Sequence, residues 1–403
     1  MSYKVIKREH ADGEKNDISY LSREAAEKVR KFHRSFPEYS VTPLQSLPET
    51  AQAIGVSRLY VKDESYRFGL NAFKVLGASY AMGNVLAQRL GVDISDLAYD
   101  RLVSQEVRDE LGSITFVTAT DGNHGRGVAW TAKKLGQKSV VYMPEGTSAE
   151  RLVNIRREGA SATITDMNYD ESVRLAARKA RENDWVMVQD TSWEGYQEIP
   201  RWIMQGYGTM ALEAGEQLSE LGEEGVPTHI FLQAGVGAMA GAVTGYFASM
   251  YGDAADNEEI RRPTVVIVEP NAADCYYRTV KANDGTRHVV EGKLDTIMVG
   301  LACGEPCIMG WDVLQDYADY FISCPDEAAM KGMRILGNPA GADPRIISGE
   351  SGASAFGCVA SIMSDPDLED IREELGIDED SRLLFFSTEG ATDTADYRRI
   401  VWG

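Results

Sequence analysis

From residue 59 to residue 268 the chain repeats one local pattern. A short β-rich run ends in a turn containing glycine, asparagine or aspartate, and a helical pattern usually follows. Runs over 59–63, 114–120, 138–143, 160–165, 186–189, 229–233 and 264–268 have strand character, and 383–386 adds another near the end. Val75, Ala78, Met82 and Val85 lie at helical spacing and predict a helix from about 72. Further helices are expected from the turn at 123 to about 134, and over 148–158, 170–182 and 238–250. Gly136 falls just past the helix that ends near 134, where a helix end wants a residue free to take positive φ. This alternation restricts the chain to an α/β fold of open, twisted, mostly parallel sheets flanked by helices. Ligands of such sheets bind beyond the carboxyl ends of the strands. Almost all the polar motifs of this sequence fall at those ends.

At 403 residues the chain exceeds one hydrophobic core, so two domains and two sheets are expected. A hydrophobic content of 43% excludes disorder. The net charge of -21 argues against a nucleic-acid partner and against docking on an anionic membrane. It reads as a solvated surface, with 252–262 and 281–293 as surface loops. The first residues carry no apolar signal region, and no segment approaches the length of a membrane span, so a cytoplasmic protein is expected. Cys275, Cys303, Cys307, Cys324 and Cys358 form no C-x-x-C pair, and the five histidines form no H-x-x-x-H pair. Neither a disulfide framework nor a metal site is expected.

Five motifs carry chemical meaning. Gly235-Val236-Gly237-Ala238-Met239-Ala240-Gly241 turns a strand into a helix and offers backbone N–H groups at the positive end of the helix dipole, an anion cradle. A side chain at Gly237 would fill the space a phosphate needs. The same string satisfies G-x-G-x-x-A, a dinucleotide fingerprint, with Glu269 at the end of the next strand as the acidic partner. It also fits a tight turn with no ligand. Lys74, in Asn71-Ala72-Phe73-Lys74, lies among apolar neighbours; desolvation there depresses a lysine pKa and suits it to a Schiff base. An ordinary helix-surface lysine fits the same local string. Thr118-Ala119-Thr120-Asp121-Gly122-Asn123-His124-Gly125 offers hydroxyls and N–H groups for a carboxylate and an amide for an oxygen, or simply caps a helix. Ser387-Thr388-Glu389-Gly390 places hydroxyls after the last strand. Ser348-Gly349-Glu350-Ser351-Gly352-Ala353 has alanine where a nucleophile elbow needs glycine, which excludes a serine hydrolase.

Taken in order, these motifs resemble the tryptophan-synthase-β or threonine-dehydratase class of pyridoxal phosphate (PLP) enzymes, and within it the diaminopropionate ammonia-lyase family. The strings KDESYRFGLNAFK, TDGNHGRGVAW, VQDTSWEGY, IPRWIMQGY, LQAGVGAMAG, GLACGEP, GNPAGADPRIISGESGA and STEGATD carry the likeness from about 42 to 402. The resemblance implies PLP in a cleft between a small domain, 76–188, and a large one, 1–75 with 189–403. It implies that Lys74 holds PLP, Asn123 bonds its ring oxygen, and Gly235, Val236, Gly237, Ala238 and Met239 wrap its phosphate. By the same resemblance, Ser387 or Thr388 would face the pyridine nitrogen. A hydroxyl there favours elimination over transamination, because it does not stabilise a pyridinium as a carboxylate does. The implied substrate is a small amino acid, 2,3-diaminopropionate as both D and L forms, eliminated to pyruvate and two ammonia by a homodimer. Asp121 and Asp190 would act on its second amino group, Asp121 also as a base, with Thr118 and Thr120 beside the substrate. A serine or threonine dehydratase and an NAD-dependent dehydrogenase using the glycine loop are the rival readings.

Overall fold

A computed structural model describes residues 2–10, 13–252 and 262–403. The acidic loop expected at 252–262 lies, apart from its two ends, outside the described residues. Among the described residues eleven strands form two sheets. The first contains β1 (Lys4–Lys7), β2 (Leu44–Ser46), β3 (Arg58–Asp63), β8 (His229–Gln233), β9 (Thr264–Pro270), β10 (Tyr320–Cys324) and β11 (Arg382–Ser387), in the order β1-β10-β9-β8-β11-β3-β2. Only its edge pairs, β1 with β10 and β2 with β3, are antiparallel. The second sheet contains β4 (Thr115–Ala119), β5 (Lys138–Met143), β6 (Ser161–Ile164) and β7 (Val186–Met187), in the order β6-β5-β4-β7, all parallel. All strands of the second sheet therefore come from 115–187, and all strands of the first from outside that stretch. The Asn123 turn and the Gly235–Met239 turn end strands of different sheets.

Strands β8 and β10 are buried along their whole length, as helices on both faces of a parallel sheet require. One apolar core joins the two sheets, with Val117 and Ala119 of β4 in the same cluster as Ile230 and Leu232 of β8. The helix Val75–Leu90 runs through this core and is buried nearly all round. Two glycines let neighbouring helices approach it closely. A Cβ on Gly206, in the helix Glu198–Ser219, would lie 2.5 Å from Leu76 O, and one on Gly127, in the helix Asn123–Lys134, would lie 2.9 Å from Val75 Cα. The start of Val75–Leu90 is thereby fixed from two sides, one of them the helix that begins with Asn123.

The helix starts at Val75 rather than near 72. Asn71 takes φ +61, Ala72 bridges Glu389, and the Phe73 N–H donates to Thr388 O, so these residues are held to the chain following β11 before helical bonding begins. Strand β7 ends at Met187, two residues earlier than expected, which frees Gln189 and Asp190 to leave the sheet. The strand β10 and the 22-residue helix Glu198–Ser219 were not among the expected elements. No helix of the described residues is long and apolar enough to cross a membrane.

Candidate active site

The carboxyl ends of β8 and β11, the Lys74 segment and the Asn123 turn converge on a cleft of about 490 Å³. Lys74 Nζ donates to Asp190 Oδ2 at 2.8 Å. Asp190 Oδ1 accepts from Tyr169 Oη at 3.3 Å and from Gln189 Nε2 at 3.2 Å. His124 lies behind the pair, its Nε2 2.8 Å from Val188 O and its Nδ1 3.9 Å from Asp190 Oδ2. A carbonyl only accepts, so Nε2 carries the proton; burial pulls the imidazole pKa down and keeps the ring neutral.

The depressed pKa expected for Lys74 is not what this arrangement produces. Burial does pull it down, but the carboxylates of Asp190 and Asp121 outweigh burial and raise it above the ordinary lysine value. Burial alone would raise Asp190; the Lys74 charge, with hydrogen bonds from Lys74 and Tyr169, holds it below the usual carboxylate range. Lys62, the other lysine of this region, is fully buried against Glu213 at 3.0 Å and donates to Thr42 O, away from the cleft.

Strand β8 passes through Ala234 and the glycine turn into the helix Ala238–Tyr251. Gly237 is its N-cap at φ +89, and no side chain caps the helix. The first N–H groups of a helix have no partner within it, and here they border the cleft. The reason expected for a glycine at 237 needs correction. A Cβ there would lie 2.0 Å from Tyr276 Oη, which itself donates to Val236 O at 2.6 Å. The protein, before any phosphate, demands glycine. Glu269 does not serve a dinucleotide either. It is fully buried, and its two oxygens accept the N–H groups of Tyr276 and Tyr277 at 2.9 and 2.7 Å.

At the end of β11 the two candidate hydroxyls separate. Ser387 Oγ donates to Ser348 Oγ at 2.8 Å and does not line the cleft. Thr388 lines it, and its Oγ1 accepts from Gln233 Nε2 at 2.9 Å. Asn123 lines it as well, with Nδ2 on Glu389 Oε2.

Residues 36–369 match the model of the pyridoxal-phosphate dependent enzyme family. The chain is 48% identical over 386 residues to a diaminopropionate ammonia-lyase of Salmonella typhimurium, covering 96% of this chain and 94% of that protein. The chain belongs to the PLP-dependent enzymes, among the diaminopropionate ammonia-lyases. Crystal structures of the Escherichia coli diaminopropionate ammonia-lyase superpose closely. Its complex with D-serine gives a TM-score of 0.90 at 45% identity, covering 100% of this chain and 97% of that one. Its complex with an aminoacrylate-PLP azomethine reaction intermediate gives 0.89 at 45%, with the same coverage.

The donor set fits PLP. An amine at Lys74, an amide at Asn123, a run of helix N-terminal N–H groups and a hydroxyl at Thr388 all border one cleft. Tyr207 Oη, also in the lining, is buried with no hydrogen-bond partner, as is Gln233 Oε1. A family member needs such unspent polar groups where its cofactor and substrate lie.

The cleft does not gather every expected residue. Thr118 Oγ1 donates to Gln189 Oε1 at 2.8 Å, and Thr120 Oγ1 accepts the N–H groups of Gly122 and Gly125 at 2.9 and 3.0 Å. The Thr120 hydroxyl shapes the turn, the Thr118 hydroxyl ties β4 to the chain after β7, and neither residue lines the cleft. Asp121 sits behind Gly300, a lining residue, and its Oδ2 is 3.5 Å from Arg151 Nη1. Arg151 is buried; the carboxylates of Glu389, Asp121, Glu350 and Asp393 outweigh that burial and hold its guanidinium charged. Arg151, Tyr207, Gln233 and Glu389 were missed by motif reading. Glu389 lies inside the STEG string, Tyr207 ends IPRWIMQGY and Gln233 is the second residue of LQAGVGAMAG, so all three were within reach; Arg151 lies in ordinary helix sequence.

Proposed function

We infer that the protein eliminates ammonia from 2,3-diaminopropionate, of both D and L forms, with PLP as cofactor. One water is consumed, and pyruvate and two ammonia are released. The observation that carries this reading is the Lys74–Asp190 pair in the cleft of a chain similar over its whole length to diaminopropionate ammonia-lyases. Bound PLP withdraws electrons from the Cα of an amino acid joined to it and so acidifies the Cα proton.

The residues of the chain do the rest. Lys74 holds the cofactor, and Asn123 bonds its ring oxygen, with Glu389 steadying the amide. Gly235, Val236, Gly237, Ala238 and Met239 hold the phosphate by N–H groups, and Thr388 rather than Ser387 meets the ring nitrogen. Once the substrate amine has displaced it, Lys74 is a free base that takes the Cα proton of one enantiomer. Asp121 takes the proton of the D form, which leaves the L form to Lys74. Asp190 keeps the departing β-nitrogen protonated, so that it leaves as ammonia. Thr118 and Thr120 act through the structure they hold, Thr120 through the turn and Thr118 through Gln189, the neighbour of Asp190. The reading also takes 76–188 as a small domain inserted in 1–75 and 189–403, supported by the strand membership of the second sheet. A homodimer in the cytoplasm completes it.

The test is stoichiometric. Holoenzyme given either enantiomer of 2,3-diaminopropionate is expected to release two ammonia per pyruvate, and borohydride reduction is expected to fix the pyridoxyl group on Lys74. Faster turnover of serine or threonine, or a label on Lys62, would overturn the reading.

A further inference from the structure

Gln233 is the last residue of β8, immediately before the phosphate-binding turn. Its side-chain nitrogen makes two hydrogen bonds, to Phe386 O and to Thr388 Oγ1, each 2.9 Å long. The side chain is buried, and Oε1 has no partner. The carbonyl of Phe386 can only accept, so the amide must present its nitrogen on this side; turned over, it would set oxygen against oxygen. The two amide protons are thus divided between Phe386 and Thr388, and leaving Oε1 unpaired costs free energy. The orientation is held against that cost.

The consequence falls on Thr388. A hydroxyl has one proton to give, and this one already accepts from Gln233. Among the described residues no acceptor receives the Thr388 proton. Its backbone carbonyl accepts the Phe73 N–H, which ties Thr388 to the segment carrying Lys74. Its side chain faces the cleft. The proton is left for whatever lies there.

We propose that Gln233 is a positioning residue that sets the polarity of the Thr388 hydroxyl, making it a donor to the ring nitrogen of the cofactor. This rests on the reading that PLP occupies the cleft. A donor can bond the ring nitrogen only when that nitrogen is unprotonated. An unprotonated ring withdraws fewer electrons from Cα, which restrains transfer of the amino group onto the cofactor while still allowing loss of a good leaving group. Gln233 therefore acts on reaction choice through Thr388.

Gln233→Glu tests the polarity directly. A carboxylic acid at this position can give its one proton to Phe386 O and must then accept from Thr388. The hydroxyl reverses and presents a lone pair to the ring nitrogen, which favours the protonated ring. Two readouts follow, neither of them elimination rate: the absorption band of bound PLP, and conversion on alanine, which has no β leaving group. Transamination of alanine balances as alanine plus PLP giving pyruvate plus pyridoxamine phosphate. Q233E is expected to shift the band from its wild-type position and to accumulate pyridoxamine phosphate at least tenfold faster than wild type. Q233M removes the donor without adding an acid; it is expected to bind PLP about tenfold more weakly, as loss of one directed hydrogen bond implies. If Q233E does not fold, as judged by circular dichroism and melting, Q233M decides the matter. An unchanged band with no gain in pyridoxamine phosphate in Q233E, or unchanged PLP affinity in Q233M, would overturn the proposal. Borohydride labelling of wild-type Lys74 separates this outcome from failure of the PLP reading itself.

Discussion

Lys74 and Asp190, 116 positions apart in the chain, form a 2.8 Å ion pair at the floor of the cleft. One precedes the helix that runs through the shared core, and the other follows the last strand of the second sheet. The pair raises the Lys74 pKa and depresses that of Asp190. Its stabilisation is present across neutral pH. It is lost as pH falls below the ordinary carboxylate range toward the depressed Asp190 pKa, or rises beyond the ordinary lysine range toward the raised Lys74 pKa.

Asp190→Asn is expected to split binding from catalysis. Without the carboxylate the Lys74 pKa falls, more neutral amine is present, and the acid limb of PLP capture by the cofactor-free protein moves to lower pH. Stopped-flow absorbance across a pH series reads that limb. Turnover of both enantiomers drops, on the order of 10²- to 10⁴-fold, because the leaving nitrogen loses the carboxylate that keeps it protonated. A limb that stays in place would show that the Lys74 pKa is governed elsewhere.

Asp121→Asn keeps shape and removes a base. With Asp121 behind Gly300 and beside Arg151, the expected outcome is selective loss of D-diaminopropionate turnover, on the order of 10²- to 10⁴-fold, with L-turnover retained. Steady-state kinetics on each enantiomer decides. Equal losses would assign Asp121 to leaving-group binding, and no loss would leave it a structural acid.

Gly237→Ala is expected to lower both the melting temperature and PLP affinity. A left-handed backbone costs a non-glycine residue about 1–2 kcal/mol, and the new Cβ would also lie 2.0 Å from Tyr276 Oη. Tyr276→Phe is not expected to rescue it, because the ring carbon Cζ would still be only 2.4 Å away. Calorimetry of the single and double variants checks this.

Glu269 gives the protein a pH-dependent stability term. Burial pushes its carboxyl from 4.5 up to about 8, against the hydrogen bonds that favour its charge. Between those values the folded chain holds a proton that the unfolded chain releases, so this contribution to stability declines as pH rises through the window. Glu269→Gln removes the titration. The expected result is a shallower fall of melting temperature between about pH 5 and 8 than in the wild type. An unchanged slope would assign the pH dependence to other groups.

Local chemistry was readable in the sequence wherever it was local. The strands 138–143 and 229–233 were legible to the residue, each being a compact β-rich run closed by a turn. The lysine, the Asn123 turn, the glycine loop and the STEG string were legible because each needs its residue types side by side. Strand β10, YFISC, is not legible in this way: unlike β8 it runs straight into Pro325 and a helix, with no glycine turn to close it. The helix start at Val75 was misplaced because its preceding residues bond to the chain after β11, far away in sequence.

By itself, the sequence determined the α/β architecture, the family, and which short motifs would carry the chemistry, since periodicity and turn composition are properties of neighbouring residues. Only the tertiary structure decided how those motifs are charged and aimed. The Lys74 pKa lies above rather than below its ordinary value because Asp190 arrives from another sheet. Thr388 rather than Ser387 faces the cleft because consecutive residues leaving a strand point opposite ways, and one finds Gln233 while the other finds Ser348. Burial removes water as a competing partner, so the charge state and proton direction of each group pass to whichever distant side chain the fold sets against it.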